Sequence, residues 1–109
     1  MAHIKTSKPF LEELANVLTY TLVEFGSSTV KHFDTEYKKI RKRLLVHPLS
    51  SPREPILKNF LRPYRSANIM KNWKIIYRYD EENDRVIFVD LWDMRKHPRT
   101  LVRQFKKKL

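Results

Sequence analysis

The sequence predicts an α+β domain of two layers: an N-terminal strand, an antiparallel helical hairpin, and a small, mostly antiparallel sheet, in the order β-α-α-β-β-β. Three observations predict it. Two stretches between Ser7 and Val46 carry apolar residues at helical steps of three and four. The chain after Tyr64 turns to β-branched and aromatic runs broken by polar reversals. A length of 109 residues suits one core, so a single domain is expected over 1–109.

His3 to Thr6 reads as the opening strand. Ser7-Lys8-Pro9 follows, a hydroxyl cap and an early proline of the kind that starts a helix. Leu11, Leu14, Ala15, Leu18, Leu22 and Phe25 then form one apolar stripe. Gly26 supplies a left-handed stop. Ser27 or Ser28 caps a second helix with the stripe Val30, Phe33, Tyr37, Ile40 and Leu44. So short a link makes the two helices an antiparallel hairpin. Three prolines between Pro48 and Pro55 forbid a regular ladder and mark a surface loop. Ile56 to Leu61 suits a helical turn and Tyr64 to Met70 a strand. Lys71-Asn72 is a turn, Trp73 to Tyr79 a strand, Glu81 to Asp84 a reversal, and Arg85 to Trp92 the returning strand. In Val86-Ile87-Phe88-Val89 both parities are apolar, as in an interior strand covered on one face and partly on the other. Pro98 fits the first turn of a short basic tail to Lys108, which is compatible with a helix.

Composition narrows the function. With no cysteine, disulfides, thiolate zinc sites and Cys nucleophiles are excluded. Gly26 is the single glycine, so neither a Gly-rich phosphate loop nor a dinucleotide fingerprint exists. Twenty-three Lys and Arg against 12 Asp and Glu give a net charge of +11, which favours a polyanionic or acidic partner. No apolar run approaches a membrane span and no secretory segment opens the chain, so no membrane partner is expected and the cytosol is the expected address.

The residues resemble the RelE/ParE superfamily of toxins from bacterial type II toxin–antitoxin modules. The hairpin carries Tyr20, Glu24-Phe25-Gly26, Phe33, Ile40, Leu44 and Pro48, similar to ParE-like proteins. Tyr64-Arg65-Ser66, Trp73-Lys74-Ile75-Ile76-Tyr77-Arg78 and the run Val89 to Pro98 resemble the superfamily's later strands. The resemblance implies a toxin neutralised by a cognate antitoxin that wraps the sheet and hairpin, with no small-molecule cofactor. RelE-like members cut mRNA on the ribosome, whereas ParE-like members inhibit DNA gyrase. Lys74 and Arg95 match the positions of two RelE-like arginines. The tyrosine that RelE-like toxins place after the second has no counterpart in Pro98-Arg99-Thr100-Leu101, and their pair of lysines is loosely represented by Arg65 and Lys71.

Metal-free RNA cleavage requires a base for the 2′-hydroxyl, cations for the phosphate charge and an acid for the leaving oxygen. Arg95, Lys74, Arg78 and His97 are the expected catalytic set if that activity is present. Against this, Lys74 and Arg78 share a strand face and can simply solvate it. His97 can equally be a surface histidine beside a turn proline. Lys96, Arg99 and Arg103 are expected nucleic-acid or target contacts because the tail has cations and no acid, and the resemblance adds Arg65 and Lys71, the loose counterparts of the RelE-like lysines. No histidines stand at ligand spacing, so no metal site is expected. Asp90 and Asp93 read as partners of nearby cations or turn caps. Trp73, Tyr77 and Trp92 can stack bases or fill a core. Two alternatives remain beside the toxin: a non-enzymatic nucleic-acid-binding module, suggested by charge, and a toxin homologue that keeps only antitoxin binding.

Overall fold

The computed structural model describes residues 1–109. Its strands are β1 (His3–Thr6), β2 (Arg65–Ile69), β3 (Trp73–Asp80) and β4 (Arg85–Asp93), and its helices α1 (Lys8–Phe25), α2 (Ser27–Val46) and α3 (Pro98–Lys108). A short helical turn, Pro55–Leu57, lies in the loop before β2. The sheet order is β1-β4-β3-β2, with β1 parallel to β4 and the other pairs antiparallel. This is the expected α+β layout.

Ser7 starts α1, its Oγ accepting from the Phe10 amide at 3.2 Å. Gly26 joins the two helices at φ +89°, a conformation that side-chain-bearing residues rarely adopt. It is itself the residue before α2, and no serine side chain caps that helix, which corrects the Ser27 or Ser28 expectation. The positive φ of Gly26 brings Ser27 into the first helical position, so its hydroxyl is already past the cap.

The hairpin packs on one sheet face through Phe10, Val17, Phe33, Ile40 and Leu44, which meet Ala67, Ile69, Ile75, Tyr77, Val86, Phe88 and Leu91. On α2 the expected stripe is the buried one. On α1 it is rotated: Phe10, Val17 and Thr21 are buried and Leu14 and Leu18 pack beside them. Leu11, Leu22 and Phe25 are exposed. α1 is apolar over more than one stripe, and the sheet selects the one that includes Phe10.

The second face is covered as well. Leu101 and Phe105 of α3 pack with Ile76, Trp92, Tyr64 and Leu57. Thus the basic tail is a helix with a third, partial layer of its own, and the Trp92 indole is core.

One irregularity decides which side chain joins which layer. Ile76 pairs with Asp90 but Tyr77 pairs with Phe88, so Val89 is an extra residue in β4. Such a bulge reverses the alternation beyond it. Phe88 and Leu91 therefore both face the hairpin, while Asp90 and Trp92 face α3. The Val89 carbonyl accepts from Ser7 Oγ at 3.2 Å, tying the bulge to the start of α1.

Asp90 anchors α3. Its carboxylate, 1% exposed, accepts from Lys108 Nζ at 2.7 Å, Trp92 Nε1 at 2.9 Å and the Leu91 amide at 2.9 Å. Removing one partner of such a buried set leaves the others unpaired. Asp90→Ala is expected to destabilise the fold by about 2 kcal/mol, lowering the thermal midpoint by roughly 10 °C. Thermal unfolding followed by circular dichroism checks this, and an unchanged midpoint contradicts the anchoring role.

Candidate functional site

Arg95 follows β4 in a turn and is held from three sides. Its Nε and Nη2 donate to the two Asp93 oxygens at 2.9 and 3.0 Å, and its amide donates to Asp93 Oδ1 at 2.9 Å. The guanidinium carbon lies 5.7 Å from the Tyr20 ring centre and 5.3 Å from that of Trp73. These are cation–π distances. The hydrogen bond to Asp93, with a smaller contribution from neighbouring Tyr20, holds the Arg95 pKa above its already high ordinary value. Arg95 is therefore a fixed cation and not a proton-transfer group.

Asp93 experiences opposed effects. Burial pushes its carboxyl up, but the side-chain and backbone hydrogen bonds from Arg95 outweigh it and the net pKa is lowered. Beside this clamp a pocket of about 200 Å³ is lined by Tyr20, Phe25, Met70, Trp73, Lys71 and Arg95, among others. Aromatic walls with two cations at the rim can take a flat or apolar group that carries negative charge.

Lys74 is elsewhere. Its ammonium donates to Glu54 Oε1 at 2.8 Å, and the Glu54 side chain is fully buried. Lys74 pairs across the sheet with Trp92, on the α3 face, whereas Trp73 and Asp93 are opposite one another on the hairpin face. Lys74 and Arg95 thus belong to different faces. Arg78 is on the Lys74 face, half-buried beside Ile87, with no hydrogen-bond or ion-pair partner. His97 is exposed at the start of α3, its Nδ1 accepting from the Arg99 amide at 3.1 Å.

The expected contact residues also divide. Lys71 shares the aromatic pocket with Arg95. Lys96 lines a cleft of about 170 Å³ between α1 and α3. Arg99 and Arg103 line a shallow depression on α3. Arg65 donates to the Ser51 carbonyl at 2.8 Å and so braces the proline loop. Asp90 and Asp93 serve Lys108 and Arg95 on opposite faces, as cation partners. The histidines and carboxylates nowhere gather in groups of three that could hold a metal ion. Tyr20 and Asp93 complete the Arg95 clamp without having been singled out as site residues. The Asp93-x-Arg95 spacing at a strand end is the signal that could have found Asp93.

A helical hairpin on a four-stranded sheet, with an arginine after the last strand, is the layout that the resemblance to RelE/ParE superfamily toxins implies. The model of the ParE toxin of type II toxin–antitoxin systems matches residues 4–98, and the chain belongs to that family. Solved structures share the fold, among them two from Helicobacter pylori. A metal-bound toxin from Helicobacter pylori is 19% identical, with a TM-score of 0.62, 87% of this chain and 97% of that one being covered. A conserved hypothetical protein from the same organism is 20% identical, with a TM-score of 0.57 and the same 87% and 97% coverage. No curated protein matches the chain in sequence.

The Asp93 clamp has a pH signature. A carboxyl with a lowered folded pKa stabilises the fold fully above its ordinary value of about 3.9, and loses that contribution as pH falls through the lowered value. A carboxyl NMR titration is expected to place Asp93 below the ordinary range, and Arg95→Gln to move it upward. An Asp93 titration indifferent to Arg95→Gln contradicts the clamp.

Proposed function

We propose that this type II toxin arrests growth by poisoning DNA gyrase and does not cut mRNA. The observation that carries the reading is the separation of Lys74 and Arg95 onto opposite sheet faces. Phosphodiester cleavage without metal needs base, acid and charge-stabilising cations around one phosphate. Here Lys74 is committed to a buried carboxylate, Arg95 to Asp93 and His97 to the start of α3. The missing tyrosine and the ParE family match support the same reading. An antitoxin partner comes with the family. Its placement over the hairpin and sheet is part of the proposal, and the exposed Leu11, Leu22 and Phe25 support it. The cytosol, where gyrase works, is the proposed address.

Ribosome-dependent mRNA cleavage is the second reading. It draws on the pocket where Tyr20 and Trp73 stand beside Arg95 and Lys71, since such rings can stack a base.

Two assays of the purified chain separate them. In cell-free translation of a defined mRNA, primer extension is expected to find no new 5′ ends. With gyrase and relaxed plasmid, loss of supercoiling and accumulation of cleaved DNA are expected. Cuts in codon phase that need ribosomes would overturn the proposal. His97→Asn, which keeps a capping acceptor, is expected to leave growth inhibition within about twofold, because no proton transfer by an imidazole is involved.

A further inference from the structure

The surface of α3 and of the loop before β2 has a charge balance that the gyrase reading does not require. Arg53, Lys58 and Arg62 of the loop and Arg99, Arg103, Lys106 and Lys107 of α3 are all exposed, and none has a hydrogen-bond or ion-pair partner for its side chain. The two segments pack together through Phe60 and Phe105, whose rings are 5.6 Å apart, and through Tyr64. The acids beneath them are withdrawn from the surface. Glu54 and Asp90 are each 1% exposed and are neutralised by Lys74 and Lys108. Unopposed like charges repel and weaken a fold unless a polyanion meets them.

Arg99, Arg103 and Lys106 recur at steps of four and three, so they form one stripe about 10 Å long on the helix. With Pro98 and Val102 they line an open depression of about 370 Å³. Arginine forks match phosphate oxygens in two-point contact. A bilayer is a poorer fit. The apolar side of α3, Leu101 and Phe105, is buried in the sheet and is not free to enter lipid.

We infer that this α3-and-loop face binds the phosphodiester backbone of nucleic acid directly, without regard to base sequence. The binding is independent of gyrase, so its failure leaves the proposed target untouched and the reverse also holds.

The test is fluorescence anisotropy of the full chain with a random-sequence 20-base-pair DNA duplex, and with a single-stranded RNA of the same length, between about 50 and 200 mM salt. Binding is expected to fall linearly in log–log form with salt. The triple variant Arg99→Gln, Arg103→Gln, Lys106→Gln is expected to flatten the duplex slope by about 2 to 3, and so is Arg53→Gln, Lys58→Gln, Arg62→Gln. The control Lys31→Gln, Lys39→Gln, Lys42→Gln removes the same charge from exposed α2 positions and is expected to leave the slope unchanged. Tighter binding of either the duplex or the RNA supports the inference and identifies the source of the phosphates. No binding at 50 mM salt, or equal weakening by the control triple, overturns it. Circular dichroism of each variant establishes that it is folded.

Discussion

The single extra residue in β4 governs the arrangement of everything after it. A strand presents alternate side chains to opposite faces, and one inserted residue exchanges the faces for all that follow. Because Val89 is that residue, Leu91 and Asp93 turn toward the hairpin while Asp90 and Trp92 turn toward α3. Were Val89 held in regular alternation instead of bulged, the Asp90 carboxylate would share the apolar face that holds Phe10 and Phe88. The cost of an unpaired strand residue is offset locally, since its carbonyl is taken by Ser7, the residue that also starts α1.

The two faces then acquire different chemistry. Toward the hairpin, Asp93 meets Arg95 at an exposed rim, where the guanidinium also lies at cation–π distance from Tyr20 and Trp73 and the Asp93 hydrogen bond raises its pKa further. Toward α3, the acids Glu54 and Asp90 lie under the surface and each consumes one lysine. Those pairs fix the loop and the last helix and leave only cations outside. A basic tail that self-repulsion would keep mobile is instead a packed layer, because Leu101, Phe105 and Lys108 all point inward from one side of α3.

Much of this was legible in order and type, because strand and helix periods differ sharply. Ser7-Lys8-Pro9, Gly26 and the β-branched run from Trp73 mark boundaries through local chemistry, and the structure turns at each of them. The expected α1 stripe lies one position from the buried one. Phe10, Val17 and Thr21 have the same spacing as Leu11, Leu18 and Leu22, so periodicity cannot choose between them and only the sheet does. The bulge had no signal either, since Val86 to Val89 is apolar at every position and any register suits it. For the same reason the sequence placed Lys74 and Arg95 at matching family positions but could not say which face each takes. The lysine partners of Asp90 and Glu54 lie 18 and 20 residues away in sequence, beyond the reach of local pattern.

Arg95 and Lys74 occupy opposite sides of the sheet, and that separation decides which chemistry each face can perform. Side-chain nuclear Overhauser effects in solution test this directly. Contacts of the Arg95 Nε proton with the Tyr20 and Trp73 rings, and of the Lys74 side chain with Trp92, are the predicted result. Contacts of Arg95 with the Trp92 indole or with Lys74 itself would place both cations around one site, and would contradict the division of the sheet on which the account depends.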